Sequence, residues 1–482
     1  MKVFYFFSVM GGYFSKLSAE LQQTYGVTNF SGMLYGKDQR TDTQKTGFPW
    51  QKIWVFTEYF TAHSSTGGAN LAYLAECERR YGPPNLNLLI AGDRFACGFS
   101  GEKSLKLLEA SFRMCEKALE AHQPDVIVSE SVSCMLSYAL YLVARRRGIP
   151  FMAIVPSRIP GGVAIVRNPY DRFEAVEAEF VRLKQTEMTA SERGSAEEFL
   201  TRFGQSKMKP DYMRPEYQLR ISSRQDLFAL VDMFRRYRQD PDNYLTTHPV
   251  TALRNRLVRN ARYWLSNRKL FESPVAGEKF VLFPLHFQPE ASTLIRAPFY
   301  LDQLSLIENI AKSIPIDHKL YVKEHSVSVG KRPASYYQRI KSIGNVRLIS
   351  PYVESHDLIR QASAVLSITG TLGWEAVLYE VPVITFGDAF YNAFDLVYRA
   401  RDVRLLPDLI SEAITHFRPD RELLLKFIAA MFLGTYEGFR PSTDSYVLTD
   451  ENIRRVARAL VAELNLERAG AAKTLAHAEG FA

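Results

Sequence analysis

From Val365 to Ala376 the chain reads Val-Leu-Ser-Ile-Thr-Gly-Thr-Leu-Gly-Trp-Glu-Ala. An apolar run ends in Thr-Gly-Thr, and a helical pattern starts at once. The first turn of a helix has N–H groups without intrahelical partners and a partial positive charge, which together suit a phosphate. The hydroxyls of Thr369 and Thr371 add donors, and Gly370 and Gly373 allow close backbone approach. Glu375 lies in the first turn, where a carboxylate can accept hydrogen bonds from sugar hydroxyls. The same residues also fit a helix start without ligand, with Thr371 as N-cap and Glu375 near the capping-box position. The two readings are compatible, because a cap becomes a phosphate site when a ligand arrives.

Two further clusters have the same character. Lys323-Glu324-His325 directly follows the apolar run Lys319 to Val322, so Lys323 and His325 can offer cationic or donor groups to a phosphate at a strand end. Gly330-Lys331-Arg332-Pro333 continues this basic loop. His286, Gln288 and Glu290, with Ser292 and Thr293, gather just after the run Phe280 to Phe283. They read as a binding loop, with a plain helix start as the alternative. Asp240-Pro241-Asp242 has proline between its carboxylates and reads as a turn.

Strand and helix signals alternate around these clusters. Val3 to Phe7, Asn87 to Ile90, Pro124 to Glu130 and Phe151 to Val155 are expected as strands, with helices from Ser104 to His122 and up to Arg147. Such units imply a parallel sheet whose ligands sit beyond the carboxyl ends of the strands. Asp93, Ser129, Glu130 and Ser157-Arg158 are then mouth positions. A second alternating region starts at Lys279, with strands at Phe280 to Phe283, Lys319 to Val322, Val346 to Ile349, Val365 to Ile368 and Val381 to Phe386. The fold class is therefore α/β, two doubly wound Rossmann-like domains with a helical insertion between them. The boundaries read as 1–167, an insertion at 168–274, 275–467 and a flexible tail at 468–482. Within the insertion, Leu253, Leu257, Ala261, Trp264 and Leu265 share one helical face, with Arg256, Arg259 and Arg262 on others. The favoured reading is a linker helix packed by its apolar side with a solvated basic side. A basic amphipathic helix on an anionic membrane is the alternative.

The chain has 482 residues, 46% hydrophobic and 23% charged, which supplies two cores and argues against general disorder. A net charge of +8 fits an anionic partner without choosing among nucleotide sugar, lipid phosphate and membrane. The basic residues are not interleaved with aromatics on a strand face, which disfavours nucleic acid. Cys77, Cys97, Cys115 and Cys134 form no C-x-x-C pair and read as reduced residues of a cytoplasmic protein. No metal-ligand spacing stands out, and no apolar run is long enough to span a bilayer.

The order Lys-Glu-His, Gly-Lys-Arg-Pro, Ile-Thr-Gly-Thr-Leu-Gly-Trp-Glu-Ala and Val-Pro-Val-Ile-Thr-Phe-Gly-Asp, between Phe280 and Tyr391, resembles the bacterial capsule polysaccharide biosynthesis family. That family includes the β-Kdo transferases that build the linker of lipid-anchored capsules. The resemblance implies a GT-B arrangement and a metal-independent glycosyltransferase without cofactor. The nucleotide-sugar donor, CMP-Kdo foremost, would be held mainly by the second domain. On it, Lys323 and His325 face the phosphate as part of Lys323-Glu324-His325, Thr369, Gly370 and Thr371 cradle it, and Glu375 contacts the ribose. The family's usual Lys-Glu-His-Pro carries Ser326 here, a change expected to loosen the loop. Such a transferase needs a carboxylate facing the acceptor. Glu130 is the first choice, then Asp93, then Asp388. Arg94 and Arg158 are candidates for holding an acidic sugar or acceptor phosphate. The implied partners are the donor and a glycan or lipid-linked glycan acceptor. The implied location is cytoplasmic, with any peripheral contact at the inner face of the membrane. A nucleotide-sugar epimerase and a non-catalytic assembly or export subunit are the alternatives.

Overall fold

The computed structural model describes residues 1–7, 10–63, 67–96, 98–205, 224–442 and 444–479, without side-chain detail at 224–230, 264–269 and 466–479. Cys97 and the side chains of Trp264 and Leu265 lie outside the described residues, as does part of the expected insertion, 206–223.

Strands β1 (Lys2–Phe6), β2 (Asn29–Leu34), β3 (Lys52–Val55), β4 (Val126–Ser129), β5 (Phe151–Pro156) and β6 (Gly162–Val166) belong to the first sheet. The second is built from β7 (Phe280–Pro284), β8 (Lys319–Lys323), β9 (Val346–Ile349), β10 (Ala364–Ser367), β11 (Val383–Thr385) and β12 (Val397–Arg399). A late two-residue strand, β13 (Tyr436–Glu437), returns to the edge of the first sheet. The orders are β13-β6-β5-β4-β1-β2-β3 and β12-β11-β10-β7-β8-β9. The second sheet is parallel throughout and has the Rossmann order 3-2-1-4-5-6, so its topological switch point lies between β7 and β10. The first sheet is parallel from β3 to β5, with β6 and β13 antiparallel at its edge.

The central strands are buried on both faces, so they read as unbroken apolar runs. The run at Asn87 is an exception and a correction: Leu86–Ala91 is a helix, with Leu86 and Leu89 buried on one side. A short apolar run cannot by itself tell a buried strand from a buried helical turn. Asp93 therefore does not follow a strand.

Two further departures concern long-range packing. The helix Asp450–Glu479, most of which falls within the stretch 275–467 read as the second domain, does not cover the second sheet. Its Ile453, Val456, Ala457 and Leu460 pack into the core beside Tyr13, Phe14 and Leu17 of the first. Arg167 pairs with Glu463 at 2.6 Å across the same junction. The insertion helix Pro249–Leu270 is also reversed relative to expectation. Arg259 donates to the carbonyls of Val327 and Val329, and Arg262 to that of Lys331, whereas Leu253, Leu257 and Ala261 face outward. Backbone carbonyls of the 327–331 loop reward guanidinium donors more than an apolar stripe, which explains the inversion. Asp240-Pro241-Asp242 is a turn, and Asp240 accepts from the Lys37 amide and the Thr57 hydroxyl, which pins the insertion to the first domain.

Candidate active site

A cleft of about 1320 Å³ lies between the carboxyl ends of the two sheets. Arg158, Ile159 and Pro160 form its first-domain wall. Helix Ala190–Gln205 contributes Glu198, Phe199, Arg202 and Phe203 among others, helix Pro249–Leu270 contributes Arg259, and most of the remainder comes from the second domain.

The centre of the cleft is the switch point itself. His286 leaves β7 and Thr369 leaves β10, and the Thr369 amide donates to His286 Nε2 at 3.2 Å. The backbone of His286 is clamped in turn. Its amide donates to Gln303 Oε1 at 2.8 Å, and Arg332 Nη2 donates to its carbonyl at 2.7 Å. Burial, with the charges of His325 and Arg332, lowers the His286 pKa to about 3, so the ring is neutral. His286 is thus a bracket between the two switch-point loops. Gln288 serves the same scaffold by donating to the Leu301 carbonyl and accepting from Gln303. Glu290 lines the cleft and accepts from the Ser292 hydroxyl.

The Thr-Gly-Thr turn opens the helix Thr371–Leu378, with Gly370 and not Thr371 at the N-cap and Glu375 in the second turn, not the first. Thr369 donates its hydroxyl to the Ser292 carbonyl, and the Gly370 amide donates to Ser367 Oγ. The exposed Thr371 and the amides at the positive end of the helix then face the cleft. The two glycines serve packing here. A Cβ on Gly370 would sit 2.9 Å from His286 Nε2, and one on Gly373 would sit 2.3 Å from Tyr391 Oη.

Lys323-Glu324-His325 divides into separate roles. Lys323 is buried at the end of β8, with Nζ donating to the Pro351 carbonyl at 3.1 Å. Glu324 is fully buried and accepts two bonds from Arg332 and one from Tyr337, all at 2.7 Å. That carboxylate is spent on the scaffold. His325 caps the short turn Ser326–Ser328 by accepting from the Val327 amide at Nδ1, which leaves the ring proton on Nε2. The loop is therefore closed despite Ser326. Burial, then Lys323, Arg332 and Lys331, lower the His325 pKa to about 4. Lys331 lies 3.8 Å from the centre of the Phe287 ring, and burial with Arg259 and Arg332 lowers its pKa to about 8. Burial, with the nearby Glu354 carboxylate, raises Glu375 to about 7, and Lys323 opposes the shift. The lowered values of His325 and Lys331 report a cationic, partly desolvated space that an anion would relieve.

The three expected catalytic carboxylates do not line this cleft. Asp93 is buried among structural donors: the amides of Phe95 and Ala96 on one oxygen, and the Met135 amide and Tyr244 hydroxyl on the other. Burial raises its pKa. Glu130 follows β4 outside the cleft wall, and Asp388 pairs with Arg399 at 2.9 Å. Arg94 lies against Phe95, 4.7 Å from the ring centre, whereas Arg158 does line the cleft. The sequence reading missed Glu354, Arg259 and the helix Ala190–Gln205 as cleft-lining elements. Glu354 could have been found as the N-cap of helix Ser355–Gln361. The insertion residues carry no local signal.

Two sheets in Rossmann order, opening their carboxyl ends onto one cleft with a cationic loop and a helix start at the switch point, define a two-domain α/β protein of the GT-B arrangement. Residues 212–403 match the family of capsule polysaccharide biosynthesis proteins, and the motifs between Phe280 and Tyr391 fall inside that stretch. Protein FixF of Sinorhizobium fredii is 30% identical over 180 residues, 36% of this chain and 41% of that relative. The chain thus spans about two fifths of the relative's length. Among solved structures, the β-Kdo 2,7 transferase of Thermosulfurimonas dismutans KpsC is 14% identical, with TM-score 0.33, over 68% of this chain and 82% of that one. A Methanocaldococcus jannaschii UDP-GlcNAc 2-epimerase is 13% identical, with TM-score 0.31, over 96% of this chain and 100% of that one. Among the described residues no helix is long and apolar enough to cross a membrane.

Proposed function

We propose that the chain is a glycosyltransferase that moves a sugar from a nucleotide-activated donor to a capsule or surface-polysaccharide acceptor. The observation that carries this reading is the convergence of a helix start, His325 and Lys331 on the switch-point cleft. The family match over the same residues supports it. The donor phosphate binds at the helix mouth, against the Thr371 hydroxyl, His325 Nε2 and Lys331. As the acceptor hydroxyl oxygen bonds to the anomeric carbon, its proton passing to a cleft carboxylate or water, the bond from that carbon to the donor phosphate oxygen breaks. Negative charge grows on the departing nucleotide phosphate, and these preorganised donors stabilise it without a metal. Glu375, half protonated near pH 7, can both donate to and accept from ribose hydroxyls. CMP-Kdo is the first donor to test. The acceptor enters between Arg158 and helix Ala190–Gln205, where the cleft also presents Glu198 and Glu290.

The test is a melting-temperature screen of CMP-, UDP- and GDP-sugars. One class should raise the melting temperature, and the double variant Thr371→Ala with His325→Ala should lose that shift while melting normally without ligand. Each charge-assisted bond is worth about 1.5–3 kcal/mol, so the expected loss of affinity is at least about tenfold. Unchanged nucleotide affinity in the double variant would sink the site assignment. Conversion of donor alone into an epimerised nucleotide sugar would replace transfer by epimerisation.

A further inference from the structure

The helix Pro249–Leu270 carries Arg254, Arg256, Arg259, Arg262, Arg268 and Lys269 and no acidic residue, in a chain whose net charge is +8. Its inward side holds the cleft. Arg259 lines it and, with Arg262, grips the loop that follows His325. The outward side is apolar at helical spacing. Val250, Leu253, Leu257 and Val258 are 59, 38, 54 and 40% exposed, with exposed Arg254 among them. The neighbouring helix Arg224–Gln239 also exposes apolar side chains, Val231 and Phe234 at 59 and 46%, beside exposed Asp232, Arg235 and Arg238. A solvent-facing stripe of branched apolar side chains has a cost in water that scattered residues avoid. Its combination with basic residues on one helix is the chemistry of a surface that inserts shallowly among anionic headgroups.

We infer that the outward face of helix Pro249–Leu270 docks the protein on an anionic lipid bilayer, with the apolar stripe below the headgroups and Arg254 at their level. The same helix forms part of the cleft wall, so docking places the cleft beside the membrane surface. This rests on the proposed transfer only for its purpose, delivery of a lipid-linked acceptor. Binding to the membrane is independent of it.

Full-length protein is sedimented with vesicles of phosphatidylglycerol and phosphatidylcholine, and with phosphatidylcholine alone. The expected result is capture by the anionic vesicles only, weakened by added salt. The variant Leu253→Asp with Leu257→Asp should bind at least about tenfold more weakly, since affinity follows apolar burial. Arg254→Glu should lose roughly fivefold or more, from the attraction of one basic charge near an anionic surface. Both variants should keep the wild-type melting temperature and nucleotide response, because the substituted side chains face outward. Wild-type protein that stays in solution with anionic vesicles would overturn the inference, as would undiminished binding by the aspartate variant. A concentration-dependent dimer abolished by the same substitutions, without vesicle capture, would assign the face to a second copy instead. A nucleotide-induced melting shift that survives any of these failures would leave the transferase reading standing.

Discussion

Glu375 shows how one position can meet two demands. Packing on the second turn of the helix Thr371–Leu378 takes its carboxyl out of water, and the Glu354 charge nearby opposes ionisation, so the pKa rises to about 7. A raised carboxyl pKa means that the folded state holds a proton the unfolded chain releases. Its contribution is fully present below the unfolded value near 4.5 and is lost as pH rises to about 7. His286 and His325, lowered to about 3 and 4, act oppositely and favour the fold as pH rises toward 6.5. Comparison of Glu375→Gln with wild type isolates the carboxyl, because glutamine keeps the neutral shape. The melting temperature of the variant relative to wild type should rise between pH 4.5 and 7. Parallel melting curves across that range would show that Glu375 is ionised in the fold.

At the level of elements, the loop after β8 is held by its own buried ion pair. Glu324 joins Arg332 and Tyr337, and Arg332 reaches on to the His286 carbonyl, so one network fixes the loops after β7 and β8 together. Removing one partner of a buried pair leaves the other charge uncompensated, at a cost of about 3–5 kcal/mol. Glu324→Gln should therefore lower the melting temperature by roughly 10 °C, as followed by calorimetry. A loss of nucleotide affinity with unchanged stability would instead place Glu324 at the ligand. The strand-end clusters were legible in sequence because apolar runs and the polar residues after them are local signals. The division of labour within Lys323-Glu324-His325 was not, because it depends on Arg332 and Tyr337, eight and thirteen residues beyond Glu324.

Across the whole molecule, the last helix crosses back from the second sheet to the first. Ile453, Val456, Ala457 and Leu460 are buried there. Each large apolar side chain contributes about 1.5–3 kcal/mol, a sum comparable with the entire stability of a domain. A chain ending at residue 435 should therefore be insoluble or melt far below wild type. One ending at residue 467 should melt within about 2 °C of it. Scanning calorimetry and solubility of the two truncations check this, and a stable soluble chain ending at 435 would refute the dependence.

The sequence alone determined that this is an α/β chain with two doubly wound regions, and it marked the helix start at Thr371 and the basic loop around His325. Those features are written in periodicity and in residues adjacent along the chain. Tertiary structure decided the rest. It made Leu86–Ala91 a helix, enclosed Asp93 among structural donors and sent the final helix to the first sheet. It also turned Arg259 and Arg262 of the insertion helix inward. Each outcome depends on which distant partner a side chain meets, and a pattern of apolar and charged residues does not name that partner.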